Sequence, residues 1–265
     1  MAEIPLDVRA VPPGCGTGCL PRNTKLGDRW PILEDQLTEI PEADWPELIE
    51  QQRSMEWLVW EVLNQKSTNS CTANATAQGI ETICNRQAKQ QIPLSQASIY
   101  KMINGGRDAG SSIDDALEQI ATDGALPADT AENKARFAHT FPRLDWRASL
   151  PDGWRETAGL FKGLEWFDIG GARGLVTAVL LGHPVVTGRD GHALCYLAVV
   201  RLPDGSFALV YVNSWGQWGV AGGSMSYGFG RDSLARVDRG IRSYGGWALR
   251  SANLAGLLDL PAPQN

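Results

Sequence analysis

The spacing of apolar residues changes near the middle of this chain, and that change limits the folds it can adopt. From Ser70 to Thr122, apolar residues recur every three or four positions, which predicts amphipathic helices. Beyond residue 183, short apolar runs replace that pattern, and Asp204-Gly205 between two of them indicates a β-hairpin. The sequence therefore predicts an α+β chain with a helical lobe and a strand lobe.

Capping residues give the boundaries of several elements. Ser70 is a candidate N-cap of a first helix that must end before Pro93, and Ser95 starts a second helix. Ser112 with Asp115 forms a capping-box pattern at the start of a third. We expect further helices at about 47–63 and 175–181, and strands at 184–188, 192–201, 207–213 and 246–250.

Composition and charge exclude several classes of protein. The 265 residues carry 24 basic and 30 acidic side chains, and 43% are hydrophobic, so the chain is not disordered. No cluster of basic residues offers a nucleic-acid footprint, and no apolar run is long enough to span a membrane. The start, MAEIPLDVRAVPPG, lacks the apolar core of a secretory signal. We therefore expect a cytoplasmic protein, or one packaged in a virion.

Five cysteines are too few, and odd in number, for a disulfide framework, so they favour a reducing compartment. Cys15 and Cys19 lie close together in a glycine-rich turn, GCGTGC. A zinc site would need two further ligands at matching spacing, and the sequence offers none. We expect no metal and no cofactor, and we interpret these two residues as a pair that could oxidise or as two separate loop cysteines.

Cys71 is the candidate nucleophile. In the first turn of its helix, free N–H groups and the helix dipole favour the thiolate, which is the reactive form. The alternative is a small buried residue at a helix start.

A nucleophilic cysteine needs a base, and the chain has three histidines. His139 lies in a polar loop and His183 precedes a proline, whereas His192 opens an apolar strand and would project from a rigid element.

The next strand supplies a partner for His192. Asn213 ends the apolar run FALVYV, so the predicted hairpin brings it close to His192. An asparagine carbonyl that accepts from one imidazole nitrogen fixes the tautomer and directs the other nitrogen at a thiol. Trp215 follows two residues later and could shield that hydrogen bond from water. Cys71, His192 and Asn213 are therefore the predicted catalytic set.

The chain resembles the papain-like cysteine peptidases at four places in order, which are Gln65, Cys71, Gly191-His192 and the tetrapeptide NSWG at 213–216. The segments PLSQASIY and GSSIDDALEQIATDGALP resemble the bacterial and viral members of that family. The glutamine stands six residues before the cysteine, as in that family, and Asn213 follows the cysteine by 142 residues. The resemblance covers about residues 40–230. It implies a two-lobed fold with a helical left lobe, a β-barrel-like right lobe and an active-site cleft between them.

The resemblance also implies a role for each matching residue. Cys71 would attack as a thiolate paired with His192, whose imidazole acts as acid and base, and such pairing lowers the thiol pKa to about 3–4 in papain. Asn213 would orient the imidazole, and Gln65 would donate to the oxyanion together with the Cys71 N–H. The expected substrate-binding residues are Gly110, Ser111 and Gly191.

Two features depart from the family pattern. The nucleophile lies in Thr68-Asn69-Ser70-Cys71-Thr72, without the family's usual tryptophan after the cysteine. Thr68 stands where the family has a disulfide-forming cysteine, which agrees with a reducing compartment.

The resemblance places the peptidase domain at 40–265, with a helical lobe at about 60–135 and a β lobe at about 150–250. Residues 1–39 form an irregular N-terminal extension that is rich in proline yet more apolar than a free tail requires. We expect it to pack along the outside of the domain and to leave the cleft open. The alternative is an extension that crosses the cleft and must be displaced before a substrate enters.

These observations favour an active endopeptidase, a monomer acting on polypeptide substrates without binding nucleic acid or membranes. One alternative is a scaffold or virion-associated protein that keeps the fold and does little chemistry. Another is acyl transfer or amide hydrolysis on a non-peptide substrate. The presence of all four residues, Gln65, Cys71, His192 and Asn213, favours chemistry over a scaffold.

Overall fold

A computed structural model describes residues 11, 14–22, 31–51, 54–89, 91–216 and 228–253. Its labelled helices are α1 Leu33–Gln36, α2 Trp45–Glu50, α3 Cys71–Ala88, α4 Gln96–Ile103, α5 Ile113–Thr122, α6 Ala131–Arg136, α7 Trp154–Ala158, α8 Ala172–Leu180 and α9 Leu234–Tyr244. Short 3-10 turns lie at Glu42–Asp44, Glu56–Leu58 and Gly159–Phe161. In the described ranges, no helix has both the length and the apolar character that crossing a membrane requires.

Within the described residues, six antiparallel strands form one sheet in the order β1-β6-β2-β3-β4-β5. Their bounds are β1 Gly163–Asp168, β2 Val185–Arg189, β3 His192–Arg201, β4 Phe207–Val212, β5 Phe229–Ser233 and β6 Gly246–Ala252. The expected mixture of helices with an antiparallel sheet is confirmed. Helix α3 packs against β3, and its fully buried side chains include Ala73, Ala77 and Ile80. Because that helix begins at Cys71 and that strand begins at His192, this packing brings the two predicted catalytic residues to the same part of the molecule.

The capping predictions for the second and third helices are confirmed. The Ser95 hydroxyl accepts from the Ser98 N–H, and Ser112 with Asp115 forms a reciprocal capping box at α5. Ser70 precedes α3 but makes no capping bond with its side chain, so that detail of the sequence prediction is wrong. Its hydroxyl instead contacts the Thr68 hydroxyl at 2.7 Å.

The expected helix at 47–63 is mostly wrong. Helix α2 ends at Glu50, and only a 3-10 turn follows at Glu56–Leu58. Trp57 and Trp60 are 74% and 63% exposed, whereas Leu58 is buried. The aromatic residues therefore do not share a buried face, which is what a helix over this segment would have required.

The position expected for the N-terminal extension is wrong for residues 14–22, whereas residues 31–39 pack on the domain as expected. Residues 14–22, here called the arm, run past the start of α3 and pair with residues on both sides of it. Val11 and Leu20 are 47% and 44% exposed, so they do not anchor the extension through apolar burial. Farther along, Leu33 is buried and Leu37 packs against the core, while the large apolar side chains before residue 11 and between 23 and 30 lie outside the described residues.

Candidate active site

The predicted nucleophile is the first residue of α3 and is fully buried. Four main-chain N–H groups, those of Ala193, Gly18, Thr72 and Cys71 itself, act on its sulfur and favour the thiolate. Two of them belong to the helix start, as the sequence predicts, and one belongs to the residue after His192. The fourth belongs to Gly18 of the arm, which donates to the Gly191 carbonyl at 3.0 Å and lies close enough to the sulfur to act on it.

His192 and Asn213 form the predicted pair, with 2.7 Å between the imidazole Nε2 and the asparagine Oδ1. The Ser214 N–H also donates to that oxygen at 2.7 Å, which identifies the shared atom as an oxygen and not the amide nitrogen. The proton of the neutral imidazole therefore sits on Nε2. The other nitrogen, Nδ1, is buried without a hydrogen-bond partner among the described residues, and this tautomer leaves it unprotonated and able to accept the thiol proton.

A two-residue turn explains why His192 stands at the mouth of β3. Asp190 and Gly191 both have positive φ, +51° and +77°, as a tight hairpin turn requires, and His192 pairs with Arg189 across it. Trp215 stacks on the imidazole, with ring centroids 4.3 Å apart and an interplanar angle of 24°. The indole thus covers one face of the imidazole and limits its access to water, as expected for this supporting residue.

Gln65 is completely buried beside the nucleophile's helix, and its amide orientation is fixed by its partners. Its Oε1 accepts from the Ser214 hydroxyl at 2.6 Å, while its Nε2 donates to the carbonyls of Thr68 at 2.7 Å and Gly16 at 3.0 Å. The Trp215 indole N–H donates to the same Gly16 carbonyl at 3.1 Å. The donor predicted for an oxyanion is therefore directed at a peptide carbonyl, which belongs to the arm.

The arm pairs through its main chain with two of the residues expected to bind substrate. Gly18 and Cys19 donate to the Gly191 carbonyl at 3.0 and 2.8 Å, and Leu20 donates to the Ser111 carbonyl at 3.0 Å. The Ser111 N–H donates back to the Gly18 carbonyl at 2.9 Å, which makes a parallel bridge. An extended peptide thus already occupies this site, and the cleft is covered along residues 14–22.

Glycines allow this close approach. A Cβ on Gly16 would lie 2.1 Å from the Thr68 oxygen, and one on Gly18 would lie 2.3 Å from the Asn69 oxygen. Gly110, with φ +83°, would carry a Cβ 2.2 Å from the Gly18 oxygen. Only residues without a side chain fit at these three positions. The alternating glycines of GCGTGC were the available signal for the path of the arm, and the sequence prediction of a turn missed it.

Burial under the arm changes the protonation expected of the catalytic pair. Desolvation raises the pKa of Cys71 to about 11, against the opposing effect of the main-chain N–H groups. Desolvation also lowers the pKa of His192 to about 4, although its hydrogen bond to Asn213 acts in the other direction. The covered site therefore holds a thiol and a neutral imidazole, and the ion pair expected from the family resemblance is disfavoured in this state.

Hydrogen bonds tie down the loop that precedes the nucleophile, where the family resemblance would place a disulfide. The Asn69 N–H donates to Asp108 Oδ1 at 2.8 Å, and the Asn69 side-chain amide donates to the Asp108 carbonyl at 2.8 Å. The Tyr100 hydroxyl donates to the same carboxylate at 2.7 Å and accepts from the Gly110 N–H at 3.2 Å. Asp108 therefore joins the nucleophile loop to the segment that pairs with the arm.

Asp108→Ala should lower the stability of the folded chain by about 2 kcal/mol, because it removes two hydrogen bonds to a carboxylate and leaves the Asn69 N–H without its acceptor. For a chain of this size, that corresponds to a fall in Tm of roughly 4–8 °C. Thermal unfolding followed by circular dichroism measures it, with the exposed Asp152→Ala as the matched control. Equal Tm values for the two variants would contradict the structural role of Asp108.

Of the other cysteines, Cys19 lies in the arm at the site, whereas Cys84, Cys195 and the other two histidines do not join the cluster. All five cysteines are free thiols, and Cys84 and Cys195 are buried in α3 and β3. His183 packs edge-on against Phe167, with centroids 6.4 Å apart. Across the described ranges, no group of three or more potential ligands could hold a metal ion. Ser214, within the NSWG tetrapeptide, is a residue of the candidate site that the sequence analysis did not single out; it hydrogen-bonds to both Gln65 and Asn213.

No profile of a known protein family and no curated protein sequence matches this chain. Solved structures do. Digestive procathepsin L2 of Tenebrio molitor has a TM-score of 0.64 at 15% identity, over 94% of this chain and 84% of that one. Xylellain, a cysteine protease of Xylella fastidiosa, has a TM-score of 0.57 at 16% identity, over 92% and 99%. ProCathepsin B S9 of Trypanosoma congolense has a TM-score of 0.57 at 17% identity, over 88% and 85%. At these identities the likeness concerns the fold, and the chain has the fold of the papain-like cysteine proteases.

Proposed function

We propose that this chain is a cysteine peptidase that hydrolyses peptide bonds with Cys71, His192, Asn213 and Gln65, and that the arm holds it latent. The observation that carries the proposal is the path of the arm, in which the Gly16 carbonyl accepts from the Gln65 amide and the Gly18 N–H donates to the Gly191 carbonyl beside His192. A peptide main chain thus fits between the nucleophile, the candidate oxyanion donor and the base. A scaffold would not require this combination.

The chemistry begins when the arm leaves and water reaches the pair. The Cys71 proton passes to His192 Nδ1, and the thiolate attacks the substrate carbonyl. The negative oxygen that forms accepts from Gln65 Nε2 and from the Cys71 N–H. The imidazolium then protonates the leaving amine, and the imidazole later takes a proton from the water that hydrolyses the acyl-enzyme. Asn213 keeps the Nε2 proton in place throughout both steps.

Latency follows from the same contacts. The arm hydrogen-bonds to the main-chain groups of Ser111 and Gly191 and to the side-chain amide of Gln65. A substrate cannot bond to these groups at the same time. It also desolvates the thiol and the imidazole, which disfavours the charged pair. The arm therefore blocks both binding and activation.

The test uses a full-length Gly18→Ala chain, in which the new Cβ cannot fit against Asn69. We expect this variant to cleave denatured protein and peptide libraries at internal bonds, with the new termini identified by mass spectrometry. An epoxide or vinyl-sulfone thiol trap should label it at Cys71 alone. Rapid labelling without cleavage of any peptide bond would exclude the peptidase and favour amide or acyl chemistry on another substrate. A thiol no more reactive than free cysteine would favour the scaffold.

Gln65→Ala in the Gly18→Ala background should lower kcat by about a hundredfold, because one donor to the oxyanion is lost. KM should change much less, since the substrate main chain binds elsewhere. Steady-state kinetics on a cleaved peptide measure both constants, and a thermal unfolding curve shows whether the buried site tolerates the change. A folded variant with unchanged kcat would remove Gln65 from the mechanism.

A further inference from the structure

Arg22 of the arm ends in a pocket with acidic and aromatic walls. Its guanidinium forms a two-pronged ion pair with Asp168, with 3.4 Å between Nη1 and Oδ1 and a closer contact between Nη2 and Oδ2. Its Nε lies 4.0 Å from Asp114 Oδ1. Its Cζ lies 5.2 Å from the centre of the Trp247 ring. One cationic side chain thus contacts two carboxylates and an aromatic ring.

The pocket suits a guanidinium better than it suits a neutral side chain. The side chains of Asp114 and Asp168 are 2% and 14% exposed, and Trp247 is fully buried. Carboxylates that are largely removed from water favour a cationic partner that also donates hydrogen bonds to them. The planar fork of arginine matches a carboxylate with two parallel bonds and can pack on an indole at the same time.

The pocket adjoins the residues that pair with the arm's main chain. Gly18 donates to the Gly191 carbonyl beside His192, and the four residues from there to Arg22 span at most about 14 Å. Asp114 lies in the first turn of α5, three residues after Ser111, which pairs with the arm. A peptide held by Ser111 can therefore reach the pocket with a side chain a few residues from the nucleophile.

We propose that the pocket of Asp114, Asp168 and Trp247 selects an arginine side chain of the peptide substrate after the arm has left the cleft. This assignment rests on the proposed peptidase function. A substrate that replaces the arm uses the same main-chain groups of Ser111 and Gly191, so its side chains meet the same walls. Arg22 fills the pocket while the arm covers the cleft, and it therefore indicates that the pocket holds an arginine side chain.

The experiment uses the full-length chain with Gly18→Ala and Arg22→Ala, which removes the arm from the cleft and its guanidinium from the pocket. Peptides carry arginine, its neutral analogue citrulline, or leucine at each of four positions on either side of one scissile bond. At one position we expect arginine to exceed citrulline at least tenfold in kcat/KM. Asp168→Asn should reduce that ratio to about twofold or less, and the exposed Asp204→Asn should leave it unchanged. Absence of arginine preference at every position, or a preference that survives Asp168→Asn, would overturn the proposal.

A binding measurement separates this proposal from the peptidase function. Cys71→Ala is added to the same chain, and fluorescence anisotropy compares the arginine and citrulline peptides; Asp114→Asn serves as a second pocket variant if Asp168→Asn does not fold. Arginine-selective binding that needs the carboxylates, with no cleavage by the Cys71 form, supports the pocket and rejects the peptidase. Cleavage without arginine selectivity supports the peptidase and rejects the pocket. Neither binding nor cleavage would contradict both.

Discussion

Gly18→Ala should increase the rate at which Cys71 is alkylated at pH 7 by about 300-fold or more. In the covered site the thiol pKa is about 11, so only about one molecule in 10⁴ carries a thiolate at pH 7. An unperturbed thiol, with a pKa of about 8.5, is about 300 times more ionised at that pH. Displacement of the arm restores solvent, and pairing with His192 would add to the gain.

The substitution acts on the arm with little direct effect elsewhere. A Cβ on Gly18 would meet the Asn69 oxygen at 2.3 Å and the Asn69 Cβ at 2.6 Å, and neither the loop nor the helix start can yield that far. Gly18 does not have a positive φ, so alanine carries no backbone penalty there. Gly16→Ala, with its Cβ 2.1 Å from the Thr68 oxygen, should act in the same way.

Iodoacetamide labelling at Cys71, quantified by mass spectrometry over time, measures this effect. The matched control is Leu20→Ala, because that arm residue is 44% exposed and contributes its main chain to the pairing. It should alkylate at the rate of the unmodified chain. If both glycine variants fold and still react as slowly as the control, the arm does not protect the nucleophile.

The sequence predicted the geometry of the candidate catalytic cluster more closely than the state in which it is held. The His192–Asn213 pair depends on a hairpin with local signals, and the position of Cys71 depends on a strongly periodic helix. The arm has neither kind of signal, because its path is set by main-chain bonds to Ser111 and Gly191. The expected ion pair is disfavoured in the covered state because burial raises the pKa of Cys71 and lowers that of His192.

Among the elements that the sequence did not predict, β5, β1 and α9 have patterns that do not look like buried structure. Strand β5 reads FGRDS, yet Asp232 is fully buried, where it accepts from Tyr196 and pairs with Arg189 at 2.7 Å. Strand β1 reads GLEWFD and has register shifts where it pairs with β6. Helix α9 contains Gly240, which weakens a helix prediction, but a Cβ there would lie 2.3 Å from the Gly188 oxygen. Close packing against Gly188 therefore requires glycine at a position where helix propensity disfavours it.

Cys71→Ser should abolish turnover in the Gly18→Ala chain, with a loss of at least about 10³-fold in kcat. Serine keeps the shape of the side chain, but its hydroxyl is far less acidic than a thiol and an imidazole–asparagine pair activates it poorly. The comparison uses Cys84→Ser and Cys195→Ser, whose thiols are also buried. Each of these places a hydroxyl in an apolar site and should cost some stability, about 1–3 kcal/mol, without changing turnover per folded molecule. Peptide turnover normalised to the folded fraction distinguishes the three. Wild-type turnover in Cys71→Ser, or an equal loss in Cys84→Ser, would show that the nucleophile is not Cys71.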